Sequence, residues 1–85
     1  MKGIPITQVE PLENGIIRVS FDTGNVAIVD LSPRFHTYRF GVLQKPEVWR
    51  SVDTNGTFIH WYRDGIAVVE MAYDELIRMI LGESY

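Results

Sequence analysis

The residues of this chain whose types and spacing could do chemistry are few. SPRFHTYRF, residues 32–40, sets Arg34, His36 and Arg39 among the rings of Phe35, Tyr38 and Phe40. Arginines that can meet phosphates, beside rings that can stack on bases, are the ingredients of a single-strand nucleic-acid surface. The neighbourhood is basic. Residues 32–52 carry Arg34, Arg39, Lys45 and Arg50 against the single acid Glu47, a local charge of +3 in a chain of net charge −3. The acidic total works against a sequence-independent attraction to a phosphate backbone, and no recognised nucleic-acid motif is present. The competing reading is a partly buried loop, because rings in so short a chain more often fill the core than form a platform, and its arginines can pair with the acidic surface around them.

The remaining candidates are isolated. His36 and His60 lack the HxH or HxxxH spacing that would place two imidazoles on one face, so each reads as a packed or edge histidine rather than a metal ligand. Ser20, Ser32, Ser51 and Ser84 stand in neither a G-x-S-x-G elbow nor an S-x-x-K arrangement. Asp22 and Asp64 mark the tips of two different hairpins, where aspartate serves the turn. With no cysteine in the chain there is no thiolate ligand and no disulfide. No catalytic residue, metal site or cofactor is expected. An enzymatic reading would need a concave pocket in which His36 or His60 meets a carboxylate.

These side chains must be positioned by a small body. Eighty-five residues, 46% hydrophobic and 22% charged, make a single domain over residues 1–85, burying about 60 to 65% of the surface that the unfolded chain exposes. A core that modest makes help from a partner subunit physically reasonable. The opening MKGIPITQVE has no continuous apolar stretch, and nothing approaches the roughly 20 apolar residues of a membrane span. A cytoplasmic protein without a membrane partner is expected.

Four turn signals punctuate the chain: Asn14-Gly15, Thr23-Gly24, Asn55-Gly56 and Asp64-Gly65, each flanked by strand-forming residues. The fold class that follows is α+β. It comprises an antiparallel β-meander of about five or six strands in two hairpin units, a short middle helix and a C-terminal α-helix. In the first hairpin, a three-residue loop closed by Gly24 sets Phe21 opposite Asn25, Val19 opposite Ala27 and Ile17 opposite Val29. The same logic at Tyr62-Arg63-Asp64-Gly65-Ile66 pairs Trp61 with Ala67, His60 with Val68, Ile59 with Val69 and Phe58 with Glu70. The first strand, around Ile4 to Glu10, lies between Pro5 and Pro11, which cannot donate ladder hydrogen bonds and so favour a sheet edge.

Tyr73, Leu76, Ile77, Ile80 and Leu81 form one helical stripe, with Asp74 and Glu75 in the first turn and Gly82 as the cap. Lys45-Pro46-Glu47-Val48-Trp49-Arg50 predicts one or two helical turns anchored by Trp49. Residues 33–44 fit neither the helical nor the strand period. The inner face of the first hairpin is Ile17, Val19, Ala27, Val29 and Leu31. Its other face still carries Ile16, Val26 and Ile28, and Met79 widens the helix stripe. This apolar excess reads equally as a second side of the core or as an oligomer surface, a homodimer being the commonest form.

With these motifs in place, the chain resembles a bacterial family catalogued only as domain of unknown function 2442. ITQVEPLENGIIRVSFDTGNVAIVDLSP is similar to the family's opening, in which a V-x-P-L segment leads into a strand, an acid-x-G hairpin and a V-x-D-L-S-P exit. Val9, Pro11, Leu12, Val19, Phe21, Gly24, Val29, Asp30, Leu31, Ser32 and Pro33 fit those positions. Phe40, Leu43, Pro46, Glu47 and Trp49 match its middle, with tryptophan where phenylalanine is usual. After Trp61 the chain departs: Asp64-Gly65 comes one residue late, and Ala67 stands where the family has an aspartate. The resemblance implies a fold and no activity. It also implies company, since relatives are known as stand-alone domains, as fusions to helix-turn-helix units, and beside a second small protein in pairs suggestive of toxin and antitoxin.

The leading expectation is therefore a non-enzymatic protein-interaction module, acting on another protein or on its own copy. Arg34, His36, Tyr38 and Arg39 are its candidate partner surface, and Ile16, Val26, Ile28 and Met79 its candidate oligomer surface. A nucleic-acid-binding accessory domain using residues 32–52 is the alternative, and a small enzyme of unknown chemistry the weaker one.

Overall fold

All four glycine turns lie where the sequence places them, with positive φ at Gly15, Gly24, Gly56 and Gly65. The structure, a computed structural model, describes residues 5–82. Between the turns run β1 (Ile6–Pro11), β2 (Ile16–Phe21), β3 (Val26–Asp30), β4 (Asp53–Thr54), β5 (Phe58–Arg63) and β6 (Ile66–Ala72). The meander does not continue as one sheet. It divides into two antiparallel three-stranded sheets, ordered β1-β2-β3 and β4-β5-β6, which meet where the Ile6 N–H donates to the Gly56 carbonyl at 2.9 Å. β1, preceded by Pro5 and ending on Pro11, lies at a sheet edge, as expected from the prolines' missing donors; its expected start at Ile4 falls outside the described residues.

The first hairpin has the expected register, Val19 facing Ala27 and Ile17 facing Val29. The Phe21 N–H donates to the Asn25 carbonyl at 2.9 Å and the Gly24 N–H to the Phe21 carbonyl at 3.0 Å. Gly15 is required twice over. Its φ is +78°, and a Cβ there would lie 3.0 Å from the Ser32 Cβ and 3.1 Å from the Phe35 Cε2, so the β1–β2 turn packs directly beneath the loop that follows β3.

The second hairpin corrects the expected pairing. Asp64 (φ 53°) and Gly65 (φ 81°) form a two-residue turn that closes Arg63 against Ile66 and Tyr62 against Ala67. A bulge follows, and beyond it Trp61 faces Val69, His60 faces Glu70, Ile59 faces Met71 and Phe58 faces Ala72. Aspartate tolerates the left-handed region and glycine adopts it freely, so Asp-Gly supports the primed turn whose twist matches the strands. The bulge in β6 absorbs one residue and restores the buried face. Ile59, Trp61, Val69 and Met71 are 0 to 3% exposed on that face.

The segment between the sheets is a series of tight turns with 3₁₀ pieces at Ser32–Arg34 and Gly41–Gln44, then α1 (Pro46–Trp49). Short 3₁₀ turns belong to neither the helical nor the strand period, which is why residues 33–44 match neither. Val48 of α1 is fully buried. Trp49 anchors the turn, its Nε1 donating to the Leu12 carbonyl at 2.9 Å and its ring stacked on Trp61 at 6.2 Å.

α2 (Tyr73–Ile80) follows β6 directly and ends at Leu81, with Gly82 (φ 81°) just beyond. Leu76 is its buried residue, while Ile80 and Leu81 are 42% and 69% exposed, so the apolar stripe outruns the surface that it covers. Tyr73 packs edge-to-face on Phe21 at 6.3 Å, placing α2 against the turn end of the first hairpin. Each sheet thus gives one face to a shared core, with Ile17, Val19 and Val29 from the first and Ile59, Trp61 and Met71 from the second. The opposite faces stay open. No helix among the described residues is long and apolar enough to cross a membrane.

Candidate interaction surfaces

SPRFHTYRF enters the structure as a turn. The Asp30 carboxylate accepts from the Ser32 hydroxyl at 2.7 Å and from the Ser32 N–H at 2.9 Å. These two bonds, the hydroxyl's first, hold the Asp30 carboxyl below its ordinary value. Of the three rings, Phe40 is buried, Phe35 packs edge-on against Trp49 at 5.7 Å, and Tyr38 alone is fully exposed.

The four candidate partner residues divide in the same way. His36 and Tyr38 are exposed, and Arg34 is half-buried. Arg39 is engaged within the chain: Nη1 and Nη2 both reach the Glu75 carboxylate, Nη2 also donates to the Glu70 backbone carbonyl, and the guanidinium lies 4.7 Å from the centre of the Phe40 ring. Arg34 and Arg39 line one hollow with Glu75 and Met79. Arg50 lines a different one, between Leu12, Phe35 and Trp49. The basic stretch of residues 32–52 is therefore spread over separate parts of the surface.

On the open face of the first sheet, Val26 and Ile28 are 47% and 61% exposed, and Arg18 faces Glu10 at 3.6 Å. Ile16 is half-buried at the far end of β2. Met79 is also half-buried and packs against the core. It nevertheless borders, with Ile80, Val26 and Ile28, a hollow of about 450 Å³ between β3 and α2. The structure so brings three of the four candidate oligomer residues to one place.

The open face of the second sheet holds a constellation that sequence reasoning missed. Phe58, His60 and Tyr62 stand in a row along β5, with successive ring centres 6.1 Å apart. His60 Nε2 lies 2.9 Å from Glu70 Oε2, and its Nδ1 lies 4.0 Å from Asp53 Oδ1. The Tyr62 hydroxyl donates to Asp53 at 3.0 Å, and that bond, with some burial, raises the Tyr62 phenol above its ordinary value. The Asp64-Gly65 dipeptide was the available signal, since the two-residue turn that it favours leads to the pairing of His60 with Glu70.

His60 thus meets two carboxylates on the outer face of the sheet, its side chain 15% exposed between the exposed Asp53 and Glu70. The carboxylates approach opposite nitrogens, and among the described residues no group of three acids and histidines is set to hold a metal ion. No family model, no curated protein and no solved structure matches this chain.

Proposed function

We propose that the chain is a non-enzymatic protein-interaction module that uses the open face of its first sheet, with a second copy of itself as the concrete partner. The observation that carries the reading is the exposure of Val26 and Ile28 on β3, 47% and 61%, beside a hollow whose other wall is Met79 and Ile80. Apolar side chains gathered at one place on so small a domain are what an interface buries. The resemblance to the family of unknown function 2442, carried by the motifs quoted above, supports an antitoxin-like or regulatory partner, acting in the cytoplasm.

Size-exclusion chromatography with light scattering tests the reading. At tens of micromolar the wild-type chain is expected at twice its monomer mass, and Ile28→Lys at the monomer mass. A monomeric wild type whose mass neither Ile28→Lys nor Met79→Lys alters would remove self-association.

Nucleic-acid binding is the second reading, favoured by the fully exposed Tyr38 ring beside exposed His36. The engagement of Arg39 by Glu75 weighs against it. It requires that an oligonucleotide bind with a steep salt dependence and that Arg34→Ala/Arg39→Ala abolish the binding.

A further inference from the structure

We propose that the open face of the second sheet receives an arginine side chain from an extended segment of another protein, held by the ring row of Phe58, His60 and Tyr62 and by the carboxylates of Asp53 and Glu70. This surface lies on a different sheet from the proposed oligomer surface, so the two inferences stand or fall separately.

Charge complementarity identifies the occupant. The Asp53 and Glu70 side chains are 59% and 58% exposed and flank the imidazole from β4 and β6. The face presents two exposed acids on either side of a line of rings, a setting that favours a cation over an anion. Among cations, a guanidinium fits best, because it is planar, stacks on ring faces and pairs with a carboxylate through two N–H groups at once.

The molecule already binds one arginine in this way. Arg39 lies 4.7 Å from the centre of the Phe40 ring while both of its terminal nitrogens meet Glu75. The proposed site repeats those components, ring and carboxylate, on a surface open to solvent. Phe58 is 36% exposed and Val68 41%, so apolar contact is available for the residues flanking the incoming arginine. An extended segment suits a site laid out along a strand, where alternate side chains point to one face.

The test is a titration of the ¹⁵N-labelled full chain with an acetylated hexapeptide of alternating arginine and valine, followed by amide shifts. The control peptide carries citrulline, the neutral isostere, at each arginine. Shifts are expected to concentrate at Asp53, Phe58, His60, Tyr62 and Glu70. Affinity should fall by about tenfold for the citrulline peptide and by about fivefold or more for Asp53→Asn/Glu70→Gln, in line with charge-assisted pairing at an exposed site. The double variant changes exposed side chains, and a dispersed spectrum confirms its fold. Equal affinity for the citrulline peptide, shifts centred on Val26 and Ile28, undiminished binding by the double variant, or no shifts at millimolar peptide would each overturn the proposal. So would tighter binding of a glutamate–valine hexapeptide, which would make the face a reader of anions.

Discussion

Arg39 and Glu75, 36 positions apart in sequence, are joined through both guanidinium terminal nitrogens, with Nη2 to Oε1 at 2.8 Å. The same Nη2 donates to the Glu70 carbonyl, so one side chain ties the loop after β3 to the first turn of α2 and to edge strand β6. Glu75 also lies where the helix dipole favours an acid. One of the four candidate partner residues thereby has a structural role.

Replacing Arg39 by alanine should lower stability by about 1–2 kcal/mol in urea denaturation, within the range of charge-assisted bonds at a partly exposed site. The side chains are 46% and 20% exposed, and solvent screening keeps the loss below that of a buried pair. Arg39→Lys should recover less than half, because an ammonium cannot span both carboxylate oxygens and the Glu70 carbonyl with the same geometry. A stability for Arg39→Ala equal to that of wild type would show that the clamp contributes nothing.

Gly15 and Gly65 have nearly the same φ, +78° and +81°, but a Cβ at Gly65 would meet nothing within 4 Å. Alanine at either position incurs a left-handed backbone penalty of about 1–2 kcal/mol. At Gly15 the overlap with Ser32 and Phe35 adds to it, giving an expected total of about 2–4 kcal/mol. Thermal melts should rank Gly15→Ala well below Gly65→Ala. Equal losses would mean that Phe35 moves aside freely.

The depressed Asp30 carboxyl gives stability a definite sign with pH. A folded value below the unfolded one stabilises the protein above the unfolded value, about 3.8, and the contribution disappears as pH falls through the folded value. Ser32→Ala removes the larger cause and should return the Asp30 titration, followed by carboxyl ¹³C shifts, toward its ordinary position. An unchanged midpoint would assign the depression to the Ser32 N–H instead.

Tyr62 behaves in the opposite sense. Its phenol is raised, chiefly by donating to Asp53, so its contribution is complete below the ordinary value near 10.0 and is lost as pH rises through the higher folded value. In ultraviolet titration, Asp53→Asn should bring one tyrosine down to an earlier midpoint. Tyr62→Phe should remove the latest-titrating component from the wild-type curve. If both variants leave the curve unchanged, the hydrogen bond does not persist in solution.

By itself the sequence determined what is local. The four glycine turns, the alternation that sets Ile17, Val19 and Val29 on one face of the first hairpin and Val26 and Ile28 on the other, the helical stripe from Tyr73 and its stop at Gly82 all follow from backbone preference and side-chain period. Whether the second of those faces is a further side of the core or stays open is not a local property. Only the tertiary structure decided the rest, because it depended on competition between distant parts of the chain. Asp64-Gly65 can close a two-residue turn or take part in a longer loop. Packing of Ile59 opposite Met71 and Trp61 opposite Val69 goes with the shorter turn and a bulge in β6. That register moves Glu70 opposite His60, a pairing that no spacing along the chain encodes. The contact between Arg39 and Glu75 likewise exists only once the loop and α2 have been brought together by burial of Phe40, Leu43 and Leu76 in one core.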